Sequence, residues 1–552
     1  MQNPDSKVAN ILLSAYYLYD SARHPTNDPA FSSLYKVAMT QYAQKAFKAD
    51  KESPMTCSMF AGYFLLRKAF PTVEALARKA LEFTDVNAIA SDAWYLLARK
   101  EHYEGDPQKA LNLYRQSDQA RGGEKGYLPA KFGAVQMQVK MKDYDGAKFR
   151  LEKIIQQTKN PEAMTLLGAL YAQEVFEAQA SGNKEDKSAE IKKAISLLES
   201  VRASWKDEKK KLAPDESVLL YLARLYEDTS QDKSMQCLSQ VEQLQLSQIP
   251  ESERPEDAES EETVNDILRE RLAPQLLNNM GCFLYQFEKT EQARNMFQMA
   301  LNACVKSQEK DDGTDTDALV TSISYNLART YEASGMLDEA KKVYAGLLER
   351  HNDYTEANAR LTYIALRQSP TDEGPKKMAK LYEGEYQNLE VRALNGWYLN
   401  KAKRRVANLA EDQEQRHHKH TLLYYDKHDM YSLTGMGNLY LLTARDMRRE
   451  SDQDKEKRRK TYDRAVEFFD KALQLDSKNA YAAQGIAIAL VDDRKDYSTA
   501  VQIFSKIRDT LRDASVYINL GHVYAELRQF HKSIENVSYI ILGSPSIRLL
   551  TR

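Results

Sequence analysis

The sequence predicts an all-α fold, a right-handed superhelical solenoid of about twelve helix–turn–helix units. Three observations carry this. Between Thr321 and His351, small and apolar residues recur at helical spacing on both sides of a Ser334-Gly335 break. Leu327, Ala328 and Tyr331 precede the break, and Ala340, Tyr344 and Leu347 follow it, as in two amphipathic helices that meet antiparallel at their small residues. The same pattern returns along the chain, several times at intervals of 33 to 37 residues. Gly (21) and Pro (15) are scarce in 552 residues, and no long apolar alternation argues for a sheet.

A period of about 34 residues with this spacing is the signature of a tetratricopeptide repeat. The small packing positions are Ala61, Ala98, Val135, Gly168, Ala223, Gly281, Ala328, Thr362, Gly396, Gly437, Ala487 and Gly521. An irregular first pair precedes them, with Ile11–Tyr19 and Leu34–Phe47 on either side of Pro25 and Pro29. Later units are clearer: Trp94, Leu97 and Ala98 are answered by Ala110 and Tyr114 across a Gly105-Asp106-Pro107 turn. Two weak points stand out. The second helix around Met235–Val241 is poorly marked, and the unit holding Gly396, Trp397 and Tyr398 has no recognisable second helix.

Composition shifts divide the chain further. Residues 1–250 read as N-terminal repeats and 251–272 as an insertion, acidic and solvated because ESERPEDAESEE holds seven acidic residues and one Arg. Residues 273–351 are central repeats, and 352–429 irregular repeats with a basic and His-rich linker. Residues 430–536 are C-terminal repeats with a charged helical extension, and 537–552 a tail outside the pattern. Neither end shows a polar capping helix, which a solenoid normally needs. The expectation is an internal fragment or truncated form of a longer solenoid.

With 78 basic and 80 acidic residues the net charge is −2, which argues against charge-driven binding of nucleic acid along the whole chain. Cys57, Cys237, Cys282 and Cys304 are too few and scattered for a disulfide framework or zinc cluster, and read as small buried hydrophobes. No signal peptide and no membrane-length apolar run is visible. A soluble protein of the cytoplasm or nucleus is expected.

No enzyme signature is present, whether P-loop, dinucleotide fingerprint or HExxH helix. No catalytic residue, metal site, cofactor or small-molecule substrate is assigned. Gly435-Met436-Gly437 falls in repeat phase and reads as close helix packing. Asp311, Asp312, Asp315 and Asp317 lack calcium-loop spacing. His417, His418, His420 and His428 have no Cys or carboxylate at ligand spacing beside them, and read as an exposed polar linker.

Function is therefore sought on the surface. Residues one after and three before the small position of each first helix are expected to face the concave side. Those chosen are Tyr95, Arg99, Arg224, Tyr325, Arg329, Trp397, Asn438 and His522, types suited to capturing an extended or helical partner segment. A second candidate is a basic patch of Lys403, Arg404, Arg405, Lys457, Arg458, Arg459 and Lys460. Its rival reading is an exposed helix whose own acids compensate it.

The chain also resembles a known family. VTSISYNLARTYEASGMLDEAKKVYAGLLERH (Val320–His351), MYSLTGMGNLYL (Met430–Leu441), DKEKRRKTYDRAVEFFDKALQLDSKNAYAAQGIAIAL (Asp454–Leu490) and VYINLGHVYAELRQF (Val516–Phe530) resemble the large tetratricopeptide subunit of the polymerase-associated factor (PAF) complex, in its fungal form. The resemblance runs from Lys7 to Asn536. It implies a nuclear, non-catalytic scaffold that organises the other subunits on elongating RNA polymerase II. It also implies support for histone modification coupled to transcription. Rival classes are the substrate-recognition arm of a glycosyltransferase-like enzyme, which an Asn ladder would mark, and a chaperone-binding adaptor, which needs only three neighbouring repeats.

Overall fold

The computed structural model describes residues 6–24, 28–122, 126–182, 185–207, 212–250, 267–310, 316–402, 411–448, 450–511 and 513–543. Among these no strand occurs. The acidic stretch at 251–266, Asp311, Asp312 and Asp315, the basic residues Lys403, Arg404 and Arg405, and the tail from 544 onward lie outside the described residues. Contacts divide the chain into two compact units, Met1–Leu272 and Ala273–Arg552.

The first unit holds six helical hairpins among its described residues. They pair α1 (Lys7–Ser21) with α2 (29–49, through a π-helical stretch), α3 (Pro54–Leu66) with α4 (Phe70–Phe83), and α5 (Asn87–Glu104) with α6 (Pro107–Arg121). Next come α7 (Leu128–Lys140) with α8 (Tyr144–Thr158), α9 (Pro161–Ala180) with α10 (Ser188–Ser204), and α11 (Glu216–Tyr226) with α12 (Gln231–Gln248).

The second unit holds seven. They are α13 (Pro274–Gln286) with α14 (Thr290–Lys310), α15 (Asp317–Ala333) with α16 (Leu337–Arg350), and α17 (Thr355–Gln368) with α18 (Glu373–Gly384). Then follow α19 (Leu389–Ala402) with α20 (Gln413–Tyr424), α21 (Met430–Asp446) with α22 (Asp452–Leu475), α23 (480–494, ending in a π turn) with α24 (Tyr497–Thr510), and α25 (Ala514–Glu526) with α26 (Phe530–Gly543). Each unit is a stack of tetratricopeptide hairpins. Within a unit, successive first helices pack on one another, and second helices bridge to the next hairpin.

Why these segments fold this way is local. Asp106, Asp143, Asn160, Asp215, Asp429, Asn479, Asp496 and Asp513 each accept an amide of the first helical turn they precede. Ser451 and Asp454 form a capping box at the start of α22. Several hairpin turns use one left-handed residue. Gly105 and Gly335 supply it cheaply, whereas Lys68, Lys142, Glu288 and Arg528 adopt positive φ at a cost of about 1 kcal/mol each.

All twelve small packing positions are buried. Six second helices answer with three residues at i, i+4 and i+7: Ala110/Tyr114/Ser117, Ala147/Leu151/Ile154, Ala194/Leu198/Val201, Ala293/Phe297/Ala300, Ala340/Tyr344/Leu347 and Ala465/Phe469/Ala472, all buried. The middle residue is large and lies where a first helix is bare. A Cβ on Gly281 would fall 2.7 Å from the Phe297 ring, on Gly133 2.5 Å from that of Tyr114, and on Gly168 2.8 Å from Leu198. Phe469 is held on both sides: a Cβ on Gly437 would fall 2.6 Å from its ring, and one on Gly485 closer still. The weakly marked second helix is α12. It uses Ser234 at the small position, whose Oγ donates to the Ala223 carbonyl at 2.6 Å. Ser533 does the same to Gly521 at 2.7 Å.

These contacts predict opposite signs for one chemical change. Gly485→Ala should destabilise the second unit by about 1–3 kcal/mol, because the Phe469 ring has nowhere to move. Gly346→Ala, on α16 with no neighbour within 4 Å, should stabilise it by about 0.5–1 kcal/mol. Urea midpoints of the two variants read the difference.

Candidate functional site

The candidate groove residues all lie on first helices, yet their surroundings differ. Tyr95 stands among core rings, 5.9 Å from Tyr114 and 5.5 Å from Tyr127, centroid to centroid. Tyr325 repeats this arrangement with Tyr344 at 5.8 Å and Tyr354 at 5.6 Å. Both tyrosines are half-buried spacers between consecutive hairpins. Arg99 donates to the Tyr103 hydroxyl at 3.1 Å and lies over its ring. Burial works against the charge on Arg329, but the Tyr285 hydroxyl, Tyr325 and Glu332 outweigh it and push its pKa up. Exposed His522 lies on α25.

Arg224, Trp397 and Asn438 line open grooves. In the first unit, Gln173, Phe176 and Glu177 of α9 face Leu220, Tyr221 and Arg224 of α11 across a groove of about 580 Å³. Phe176 and Tyr221 are parallel within 5°, and the Arg224 guanidinium lies 3.9 Å from the Phe176 ring centroid.

In the second unit, α19, α20, α21 and α23 enclose a groove of about 570 Å³. Trp397, Tyr431 and Tyr481 give it aromatic walls, and Asn400, Asn438 and Glu414 its polar groups. Tyr481 is 59% exposed, a large ring left open to a partner. Trp397 also packs on Tyr363 at 5.0 Å and so supports the fold. Asn479 lines the groove but is engaged as the cap of α23, accepting the Ala482 amide at 2.9 Å.

Under this groove the structure corrects the expectation for the histidines. Two of the four are buried, whereas His420 on the same helix and His428 in the turn after it are exposed. His417 and His418 are 8% and 1% exposed, within α20, which is the second helix missing from the sequence pattern. The reason is substitution by polar residues at core positions. Where other hairpins place Ala, an aromatic and a further core residue at i, i+4 and i+7, α20 has Glu414, His418 and Thr421, all buried. The His418 ring takes the place of Phe469. A Cβ on Gly396 would fall 2.8 Å from it, and one on Gly435 2.6 Å, so Gly435 is a packing glycine.

Sequence reasoning also missed Arg392, which is 2% exposed. Its guanidinium donates to Thr421 Oγ1 (2.9 Å), the Tyr382 hydroxyl (3.0 Å) and the Tyr386 carbonyl (2.8 Å), and meets His420 Nδ1 at 3.1 Å. It lies 4.1 Å over the Tyr425 ring. His417 Nε2 contacts the Arg392 carbonyl at 2.8 Å, and Asn400 donates to both Glu414 oxygens at 3.0 and 3.2 Å. This polar core fixes α19 to α20 and sets the floor of the groove. Its sequence signal was present but masked: the i, i+4, i+7 register continues at 414, 418 and 421 in polar letters.

Of the basic patch, Lys457, Arg459 and Lys460 are exposed on α22. Arg458 is engaged instead. It donates to the Ala444 carbonyl and the Tyr462 hydroxyl, each at 3.0 Å, and ties α22 to α21. Lys455–Asp452 at 3.0 Å and Lys460–Glu456 at 3.4 Å pair along the helix. Among the described residues no cluster of His, Cys, Asp and Glu is arranged to hold a metal ion, and no helix is long and apolar enough to cross a membrane.

Stacked helical hairpins with open first-helix grooves define a tetratricopeptide-repeat protein, and the family model of the tetratricopeptide repeat matches residues 321–353. Within that class the chain is a homologue, over nearly its whole length, of the proteins named RNA polymerase-associated protein CTR9. It is 26% identical to the Saccharomyces cerevisiae protein of that name over 98% of this chain and 47% of the relative. It is 24% identical to that of Caenorhabditis elegans over 96% and 42%. A Schizosaccharomyces pombe relative named Tetratricopeptide repeat protein 1 is 31% identical over 97% and 46%. The chain thus spans less than half the length of these relatives.

The histidine core makes stability depend on pH. Burial, first of all, lowers the His417 pKa to about 4, and the positive charge of Arg392 adds to this. The unfolded imidazole titrates near 6.5, so between pH 6.5 and about 4 the unfolded chain holds the extra proton. Stability is complete above 6.5, falls as pH falls through this window, and loses nothing further from this group below about 4. The full loss is roughly 3 kcal/mol. His417→Gln should flatten this acid limb in denaturation curves recorded from pH 7 to 4; an unchanged limb would assign it to other groups.

Proposed function

We propose that this protein is a non-catalytic scaffold subunit of a nuclear transcription elongation complex. It binds other subunits of the polymerase-associated factor complex through its repeat grooves. Through them it supports RNA polymerase II elongation and histone modification coupled to it. The observation that carries this reading is the homology over 96–98% of the chain to proteins named RNA polymerase-associated. The grooves supply a physical means: a stacked-hairpin surface is formed before the partner arrives, so little ordering cost falls on the scaffold side. The glycosyltransferase-arm and chaperone-adaptor readings have no comparable support.

The second-unit groove is the proposed contact that can be tested with least damage to the fold, because Asn438 and Tyr481 are both exposed. Asn438→Ala with Tyr481→Ala in the full-length protein should weaken capture of at least one complex subunit by about tenfold, with the melting curve unchanged. Affinity purification with cross-linking mass spectrometry reads this. Recovery of the same subunits in the same amounts by the variant would refute this groove as a contact. Absence of polymerase-associated subunits from the unmodified protein would refute the scaffold reading itself.

The basic face of α22 is proposed as a contact of partners rich in phosphate. Reversing Lys457, Arg459 and Lys460 to Glu should reduce chromatin-bound protein in salt extraction while the fold persists. Arg458 must be left intact, since its loss would loosen α22 from α21.

A further inference from the structure

Hairpins α5–α6 and α7–α8 meet around a cavity of about 220 Å³. Its floor is apolar, made by the buried side chains of Tyr114, Ala130, Ala134 and Ile154. Its wall is cationic, with Arg115, Lys131, Arg150 and Lys153 against the single carboxylate of Asp118. That carboxylate already accepts the Tyr127 amide at 2.7 Å.

Arg150, which is half-buried, and Arg115, which is exposed beside it, differ from the basic residues of this unit that carboxylates hold. Lys100 is held by Glu74, Glu101 and Glu104 at 2.9–3.0 Å, Lys148 by Glu174 at 2.6 Å, and Arg202 by Glu199 at 3.1 Å. Arg115 and half-buried Arg150 make no hydrogen bond and no ion pair with any described residue. Burial and the charge of Arg115 push the Arg150 pKa down, although Asp143 and Asp118 oppose this. Half-buried Arg150 has a second guanidinium near it and no acceptor, a cost that an arriving anion removes.

We propose that this cavity receives the phosphate of a phosphorylated serine or threonine in a segment of a partner protein, with Arg115 and Arg150 as its forked donors. The charge count favours a dianion over a carboxylate. Arg115, Arg150 and Lys153 face one acid, and each guanidinium can bind two oxygens of a phosphate. The apolar floor takes the aliphatic side chain next to the phosphorylated residue. A nucleic-acid strand fits less well. The cavity holds a single phosphate, and its one aromatic, Tyr114, is fully buried and offers no face for a base. This inference stands on the cavity alone and does not depend on the first-helix grooves or on which complex the protein joins.

The test uses the full chain and an array of peptides with a central phosphoserine or phosphothreonine and randomised flanks. The same array without phosphate and a 12-nucleotide single-stranded RNA serve as comparisons. Phosphorylated peptides with an aliphatic neighbour should bind, and the unphosphorylated ones should not. Arg115→Ala with Arg150→Ala should lower the affinity of the selected peptides at least tenfold, and Arg150→Lys by less, since it keeps the charge but loses the fork. The melting temperature of the double variant should not fall, because neither arginine holds a partner. Equal binding with and without phosphate, unchanged affinity in the double variant, or tighter binding of the RNA would each overturn the inference. So would a double variant that loses its fold, because the pair would then be structural.

Discussion

The constraint on which each unit rests is the seating of one large side chain against a bare stretch of neighbouring backbone. A second helix carries a ring or a leucine at the middle of its i, i+4, i+7 triplet. The facing first helix has Gly or Ala where that side chain lands. Phe469 between Gly437 and Gly485 is the tightest example. The contact fixes the spacing within a hairpin, and where both flanking helices are bare it fixes the spacing between hairpins as well. Dense interiors leave no room for an added methyl group at such a point, which is why small residues recur at one phase while the rest of each helix varies.

One hairpin obeys the geometry with different chemistry. In α19–α20 a histidine fills the ring position, a glutamate the alanine position, and a buried arginine joins the layer. Buried polar groups need partners, and here nearly every one is supplied by the hairpin and its neighbours: Thr421, Tyr382, the Tyr386 carbonyl, Asn400 and Ser432. The consequence is directional. Hydrogen bonds fix the rotation of α20 more sharply than apolar packing would, and the groove above takes its polar floor from the same residues. Fold and surface are therefore coupled in this hairpin, whereas in the apolar hairpins the groove side chains vary independently of the core.

Charges on this chain fall into two physical classes. Most partly buried cations carry carboxylates at ion-pair distance and serve the fold, as Lys100 does between α4 and α5. Arg458 is likewise engaged, through a carbonyl and a hydroxyl, within a segment that reads from its letters as a basic run. Half-buried Arg150, near exposed Arg115, belongs to the other class, a cation without an acceptor. A residue type therefore does not say which class it is in. The geometry of its neighbours does.

The sequence by itself determined the architecture and carried the resemblance to the polymerase-associated relatives. Helical spacing, the positions of small residues and the capping residues are local properties, legible because each hairpin repeats them. Leu327-Ala328 with Ala340 and Tyr344 is enough to define a unit. Where core positions turned polar, as at Glu414, His418 and Thr421, hydropathy pointed away from a helix and the unit was lost. Of the candidate groove residues, spacing placed all eight on first helices, but only folding separated Tyr95 and Tyr325, wedged among core tyrosines, from Arg224, Trp397 and Asn438 at open grooves. Pairing of charges, burial of a histidine, and the meeting of Arg115 with Arg150 depend on contacts between residues tens of positions apart. No local pattern encodes those contacts, so only the tertiary structure decided them.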